Sequence, residues 1–193
     1  MTFSLVARCA DTGMFGTAIA SSSPAVAARC SYTRAGVGAV SSQNITDPRL
    51  GPLALDLMQG GLSAKAAISK VQAQGQFMEY RQVLAIDPNG STAIHSGPRS
   101  LGIWTQASGQ DVIAAMKAGL AAGGEAGPVH SAGLQICDTV PWPVADLRCD
   151  WTDDCPIAAL TEAWAVYSPQ LDAYVQRAID PREAPSYGVA GDE

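Results

Sequence analysis

The sequence predicts an α+β fold in which two antiparallel sheets are stacked between two layers of helices, a four-layer αββα sandwich. The predicted strands occur in runs, and pairs of helices separate the runs. That order is typical of antiparallel sheets, whereas single strands alternating with helices would indicate a parallel, doubly wound sheet. Of the 193 residues, 47% are hydrophobic and 16% are charged, which is the composition of a globular domain with a substantial core.

Two strands are predicted at the start of the chain, over residues 2–9 and 14–22. Both runs are apolar and β-prone, and Asp11-Thr12-Gly13 between them is a hairpin signal. Side chains alternate between the two faces of a strand. In the first run one face is therefore apolar, and the other begins with the hydroxyls of Thr2 and Ser4.

A third strand is expected within residues 34–43, where interspersed glycines suit a close approach of two backbones. Two helices follow at about 49–60 and 64–74. Gly60-Gly61 ends the first helix, and Ser63 is placed to cap the second.

The next elements are a hairpin, a strand and a helix. The hairpin pairs residues 80–87 with 91–96 around Pro88-Asn89-Gly90, whose turn chemistry is explicit. Residues 101–107 are expected to add a strand, and 115–121 are prone to form a helix.

The last third of the chain predicts a strand pair over 130–140 and 144–150, followed by two helices that begin near Asp154 and Ser168. Residues 181–193 are rich in proline, glycine and acidic side chains, which is typical of a loosely held tail. We therefore expect one domain over residues 1–180 and a short tail.

Composition excludes several classes of function. The net charge is −6 without a basic cluster, which argues against binding to nucleic acid. The sequence shows neither an apolar run of the ~18–20 residues that a membrane span needs nor a secretory signal. Its five cysteines lack a Cys-x-x-Cys motif, as expected for reduced thiols. We expect a cytoplasmic protein without a membrane partner. No metal or organic cofactor is expected, since the two histidines lie far apart and no nucleotide-binding motif is present.

The residue after the initiator methionine carries the clearest chemical possibility. If Met1 is removed, Thr2 has a hydroxyl and a free α-amine on one residue. An α-amine has an ordinary pKa of about 7.7–8.0 and can act as a base near neutral pH. This is how an N-terminal threonine activates its own weak nucleophile. The alternative is that Thr2 simply begins the first strand.

Several segments together resemble a known bacterial family, DUF1028, whose activity is unassigned and which is described as Ntn-hydrolase-like. The matching segments are Thr2–Arg8, Ala35–Val40, Gln43, Asp47-Pro48-Arg49, Gly51-Pro52, Asp146–Arg148, Asp150, Pro156-Ile157 and the tail from Asp180-Pro181 to Glu193. The resemblance implies the αββα sandwich and, by analogy of fold, a hydrolytic activity. Relatives usually continue after Ala115 through a Gly-Asn-containing stretch and another helix, whereas this chain goes directly to Met116.

Candidate catalytic residues are Thr2 as the nucleophile with Gln43 and Asn44 beside it. The two amides end a predicted strand before a helix, where they could donate hydrogen bonds to an oxyanion. They could equally satisfy backbone groups of their own loop.

Candidate substrate-binding residues form a polar rim. The rim includes Ser4 on the face of Thr2 and Ser22 at the end of the second strand. Arginines could hold a carboxylate or carbamoyl group by paired hydrogen bonds, although structural ion pairs are the alternative for each. His95 is either a base or a satisfied structural histidine. The arginines in question are Arg8, Arg34 and Arg49.

Two functions remain open from the sequence. The first is hydrolysis of a small amide or related C–N bond by Thr2. The second is a protein of the same fold without catalysis, which binds a small molecule or serves in an assembly. A homodimer is expected in either case, because this layout typically leaves apolar sheet edges exposed.

Overall fold

Two four-stranded antiparallel sheets form the centre of the protein in a computed structural model, which describes residues 2–100 and 128–185. The first sheet has the strand order β1-β2-β7-β8 and the second β3-β4-β5-β6. The strands are β1 Thr2–Arg8, β2 Phe15–Ser21, β3 Ser31–Arg34, β4 Gly38–Asn44, β5 Arg81–Ile86, β6 Thr92–Ser96, β7 Ser131–Cys137 and β8 Pro143–Cys149. The predicted α+β class with two antiparallel sheets is confirmed.

The longer helices pack on the outer sides of the sheets, whereas the short helix at Ala27–Cys30 contacts strands of both sheets. The helices are α1 Ala27–Cys30, α2 Leu50–Gln59, α3 Ala64–Gln74, α4 Pro156–Tyr167 and α5 Leu171–Ile179. The pair α2 and α3 contacts the second sheet, whereas α4 contacts β7 and β8 of the first sheet. This arrangement is consistent with the predicted layers. Within the described ranges, no helix is both long and apolar enough to cross a bilayer.

Local sequence explains where these helices begin. Ser63 caps α3, because its side chain accepts a hydrogen bond from the Ala66 backbone N–H at 3.3 Å. Pro156 is the first residue of α4, a position where its missing N–H costs no helical hydrogen bond.

The side chains of β1 alternate between two faces, and the two faces lie in different environments. Phe3 and Leu5 pack against a buried cluster that includes Ile157 and Leu160 of α4. Ser4 points the opposite way and forms a hydrogen bond with β4 of the second sheet. The polar face of β1 therefore lies between the two sheets.

The space between the sheets is apolar at one end and polar at the other. Phe15, Ala39, Ile86 and Cys137 form a buried cluster at the apolar end. At the other ends of the same strands, the side chains between the sheets carry hydroxyls and amides. These residues are Ser21 of β2, Gln43 of β4, Gln82 of β5 and Ser131 of β7.

One sequence prediction is wrong in the second sheet. A single strand is predicted over 34–43, but the chain turns after Arg34 and returns as β4 from Gly38. Gly36 has φ +67° and Gly38 has φ +156°, conformations that favour glycine. The close backbone approach expected for these glycines is present at Gly38, where a Cβ would lie 2.4 Å from the Ile86 carbonyl oxygen.

Other boundaries differ less. The short helix α1 is not predicted from the sequence, and β7 ends at Cys137 instead of residue 140. Pro181–Glu183 forms a 3₁₀ turn at the start of the expected tail. The strand expected over 101–107, the helix over 115–121 and the rest of the tail from residue 186 lie outside the described residues.

Gly51 tests the packing of α2 on β3. A Cβ at this position would lie 2.1 Å from Tyr32 Cδ2. The ring cannot simply swing away, because the Tyr32 hydroxyl donates to the Arg29 carbonyl oxygen at 2.7 Å. We expect Gly51→Ala to lower the free energy of unfolding by about 1–3 kcal/mol, despite the higher helix propensity of alanine.

Urea unfolding of this variant measures the effect. The control is Gly60→Ala at the end of the same helix, where the nearest atom to a new Cβ is the Leu57 carbonyl oxygen at 3.4 Å. Equal stability of the two variants would contradict the packing of Tyr32 on α2.

Candidate functional site

A group of hydroxyls lies where β1 begins and β2 ends. Thr2 and Ser21 are directly opposite in the β1–β2 pairing, and their Oγ1 and Oγ atoms are 2.7 Å apart. Ser21 Oγ also accepts a hydrogen bond from the Ser23 backbone N–H at 3.0 Å. On the other side of β2, the Ser131 hydroxyl donates to the Ser23 carbonyl oxygen at 2.7 Å. The Thr2 hydroxyl is thus hydrogen-bonded to Ser21, and hydrogen bonds of Ser23 with Ser21 and Ser131 hold the following turn in place.

A chain of side-chain hydrogen bonds, here called the amide ladder, continues from β1 across the second sheet. Ser4 Oγ donates to Gln43 Oε1 at 2.7 Å. Gln43 Nε2 donates to Gln82 Oε1 at 3.1 Å, and Gln82 Nε2 donates to Ser96 Oγ at 3.0 Å. Each side-chain amide has two N–H groups and the ladder uses one of them. The second N–H of Gln43 suits a carbonyl oxygen or an oxyanion.

Thr2, Ser4 and Gln43 are the candidates that the fold brings together. All three lie at the polar end of the space between the sheets, and Ser22 follows directly at the end of β2, where it is half-buried. Gln82, which is 7% exposed, and Ser96 join them through the ladder but are not among the residues that the sequence singles out. The available signal is a glutamine on an otherwise apolar strand face, since alternation places Gln82 on the same face as Leu84 and Ile86.

Asn44 has a different environment from Gln43. Its φ is +68°, a left-handed conformation that asparagine tolerates better than most residues. Its side-chain amide donates to the Tyr80 carbonyl oxygen at 3.0 Å. Asn44 thus satisfies a backbone group, which is the alternative that the sequence leaves open for it.

Arg8, Arg34 and His95 lie away from Thr2. Arg8 is at the other end of β1, roughly 20 Å along the strand, and its Nη1 donates to the Cys9 carbonyl oxygen. Arg34 forms an ion pair with Asp56 of α2 at 2.8 Å. His95 is buried, and its Nε2 lies 2.8 Å from the Met78 carbonyl oxygen.

Arg49 is engaged by a neighbouring carboxylate. Its Nε lies 2.9 Å from Asp47 Oδ1, and its Nη2 lies 2.7 Å from Asp47 Oδ2. These hydrogen bonds lower the pKa of Asp47 to about 2, and their effect outweighs burial of the carboxyl, which raises the pKa. Helix α2 begins at Leu50 with Arg49 as its N-cap residue, and the Asp47 carboxylate also accepts a hydrogen bond from the Arg49 backbone N–H at 3.0 Å.

The same three-residue motif recurs at Asp180-Pro181-Arg182. Arg182 Nε lies 2.9 Å from Asp180 Oδ1, and its Nη2 lies 2.6 Å from Oδ2. The Asp180 side chain is 25% exposed, compared with 7% for Asp47. Asp-Pro-Arg therefore forms a local ion pair in both places.

Metal ligation has no geometric support in the described part of the chain. Across residues 2–100 and 128–185, no three histidine, cysteine, aspartate or glutamate side chains come together in a way that could hold an ion. The five cysteines all carry free thiols, and burial raises the pKa of Cys30 and Cys137.

Comparison with known proteins identifies a family but no activity. The model of a family of unknown function, DUF1028, matches residues 2–115 and 109–160. The matched residues include Thr2, Ser21 and Ser131 and the whole amide ladder. The crystal structure of protein SPO2555 from Silicibacter pomeroyi, assigned to the same family, superposes with a TM-score of 0.77. It is 23% identical, with 86% of this chain and 89% of that chain covered, a likeness that shows the fold alone. No curated protein matches the sequence.

The Asp47–Arg49 pair predicts a specific pH dependence. The pKa of Asp47 is lowered from 3.8 to about 2 in the folded protein. The ionised carboxylate therefore contributes fully to the free energy of unfolding at pH values above 3.8, and this contribution is lost as the pH falls toward 2. We expect Arg49→Gln to lower the free energy of unfolding at pH 7 by only a small amount, because the Arg49 side chain is largely exposed to water.

Denaturant unfolding at several pH values tests this. The difference between the variant and the native protein should shrink as the pH falls from about 4 toward 2. Arg182→Gln is the matched control, because it removes the same ion pair around a more exposed carboxylate and should change stability less. A difference for Arg49→Gln that is constant with pH would contradict the assignment.

Proposed function

This chain belongs to the DUF1028 family of unknown function, and from that premise we propose that it hydrolyses a small amide or related C–N bond with Thr2 as the nucleophile after removal of Met1. The observation that supports the proposal is the 2.7 Å contact between Thr2 Oγ1 and Ser21 Oγ, beside the amide ladder at the polar end of the sandwich. A nucleophilic hydroxyl and amide donors are the two parts that acyl transfer needs.

In the proposed first step, the Thr2 oxygen attacks the carbonyl carbon of the substrate. The hydroxyl proton passes to the Thr2 α-amine, and a C–O bond forms as the carbonyl oxygen becomes an oxyanion. When the oxyanion collapses, the C–N bond breaks and the amine of the substrate leaves with the proton that the α-amine held. The acyl group then remains on Thr2 as an ester.

Water completes the reaction. The α-amine takes a proton from the water as its oxygen attacks the ester carbon. The same proton returns to the Thr2 oxygen when the ester C–O bond breaks, so the enzyme ends in its starting state. The product is a carboxylic acid or, from a carbamoyl substrate, a carbamic acid.

Other residues of the site position these groups. Ser21 orients the Thr2 hydroxyl by the hydrogen bond between them and is a positioning residue. In this proposal Gln43 stabilises the oxyanion through its second N–H, and its hydrogen bonds with Ser4 and Gln82 support an oriented amide. A preorganised donor needs no reorganisation when charge develops, which is why its orientation matters.

A binding protein without catalysis is the second candidate. The amide ladder favours it specifically, because the ladder could hold a ligand carbonyl whether or not Thr2 has a free amine. The homodimer and cytoplasmic location that the sequence suggests remain predictions and play no part in this mechanism.

Intact-mass measurement of the natively produced protein is the first test of Thr2 chemistry. We expect a mass that lacks Met1, since a peptide nitrogen on Thr2 cannot act as a base. Thr2→Ala should then lower kcat by ~10³-fold or more against a panel of small amides, whereas Thr2→Ser should retain part of the activity. Thr12→Ala, an exposed threonine in the turn after β1, is the matched control and should leave activity unchanged.

A chain with one additional glycine before Thr2 separates the two parts of the mechanism, because it keeps the hydroxyl and removes the adjacent amine. It should be as inactive as Thr2→Ala. Retention of Met1 in the active protein, or activity that survives Thr2→Ala, would overturn the proposal.

The role of Gln43 gives a second kinetic prediction. Gln43→Ala removes the proposed oxyanion donor and should lower kcat by ~10²- to 10³-fold with a smaller change in KM. Gln135→Ala, also an inter-sheet glutamine but on β7, should have a much smaller effect on kcat. A loss confined to KM for Gln43→Ala would assign the residue to ligand binding and favour the second candidate.

A further inference from the structure

A cavity lies away from Thr2, between α1, β3 and the β7–β8 pair. Its volume is about 160 Å³. The residues that line it include neither Thr2, Ser21 and Ser131 nor any member of the amide ladder. Its polar side chains are Ser31, Gln135, Asp146 and Arg148, and the remaining wall is formed by Ala27, Ala28 and Leu134. The cavity is therefore separate from the site already described.

Ser31 supplies a buried hydroxyl that needs a partner. The residue is 8% exposed, and its Oγ has no hydrogen-bond partner among the residues that the structure describes. Burial of a hydroxyl without a partner is unfavourable, so native structures rarely retain one without a reason. Because Ser31 lines the cavity, a polar group bound there could provide the missing hydrogen bond.

Gln135 and Asp146 are held in place from the opposite sheet. Thr33 Oγ1 donates to Gln135 Oε1 at 2.9 Å, and Gln135 Nε2 donates to Asp146 Oδ2 at 3.1 Å. A carboxylate can accept about four hydrogen bonds, and Gln135 supplies one of them. Asp146 is thus an oriented acceptor with capacity for a cation.

The charge balance of the cavity favours a cation over an anion. Arg148 is bound by Asp150, with its Nε at 3.1 Å from Oδ1 and its Nη2 at 2.8 Å from Oδ2. The guanidinium is therefore neutralised by a carboxylate outside the cavity lining. Together, Asp146, Arg148 and Asp150 carry a net negative charge.

We propose that this cavity binds a short primary alkylammonium group. The ammonium would donate to Asp146 and Ser31, and its alkyl chain would contact Ala27 and Ala28 of α1. A charge-assisted hydrogen bond to a carboxylate is among the stronger polar contacts in proteins. A cavity of about 150 Å³ can hold a six-carbon ring, so a three-carbon amine fits in this volume. A bare monovalent cation would leave the apolar wall without contacts.

Titration of the full chain with propylammonium chloride tests the proposal, with potassium chloride and sodium propionate as matched salts and binding followed by calorimetry. We expect saturable binding of propylammonium at about millimolar affinity, as suits a ligand of so few atoms, and none of potassium or propionate. Propionate binding, or potassium binding with equal affinity, would overturn the assignment to an ammonium group.

Variants locate the binding. Asp146→Asn should weaken propylammonium binding ~10- to 100-fold, whereas Asp11→Asn, an exposed aspartate in the turn after β1, should not change it. Ala28→Leu keeps an exposed position apolar while narrowing the cavity, and it should abolish binding without lowering the thermal unfolding temperature. Unchanged binding in both Asp146→Asn and Ala28→Leu would place the ligand elsewhere and refute the proposal.

Discussion

The hydrogen bond from Ser4 to Gln43 joins the two sheets at the end where their facing surfaces are polar. It exists only because β1 places Ser4 between the sheets while Phe3 and Leu5 face α4. A slip of one residue in the pairing of β1 with β2 would reverse both faces, burying Phe3 among amides and exposing Ser4 to the apolar cluster. The apolar contacts under α4 therefore determine where the hydroxyls of the candidate site lie.

The polar character of the space between the sheets is unfavourable for stability. Thr17 and Ser41 are completely buried on β2 and β4, and neither hydroxyl has a hydrogen-bond partner within the described parts of the chain. Apolar residues of similar size would avoid this cost. Retention of such groups beside an ordered ladder fits the general observation that functional sites depart from the most stable sequence.

The sequence predicts local features of this protein better than long-range ones. Alternation places Thr2 and Ser4 on one face, and Gly60-Gly61 and Ser63 bound the helices where expected. Alternation and the predicted hairpin do not bring Gln82 and Ser96 to Gln43, because that proximity depends on the register between β4 and β5, which lie far apart in the chain. The surroundings of the arginines also depend on which partners the fold or the local sequence brings to them. Arg34 pairs with Asp56 of α2, whereas Arg49 pairs with Asp47 two residues away, as Arg182 does with Asp180.

The surroundings of Thr2 explain why its amine is indispensable to the proposed chemistry. Within the described residues, the partner of Thr2 Oγ1 is the hydroxyl of Ser21, which is not a base near neutral pH. His95 is separated from it, buried on the Met78 carbonyl oxygen. The proposed mechanism takes its base from Thr2 itself, since an α-amine titrates in the required range. In that mechanism, removal of Met1 adds a base beside the hydroxyls and amides that the described residues place near Thr2.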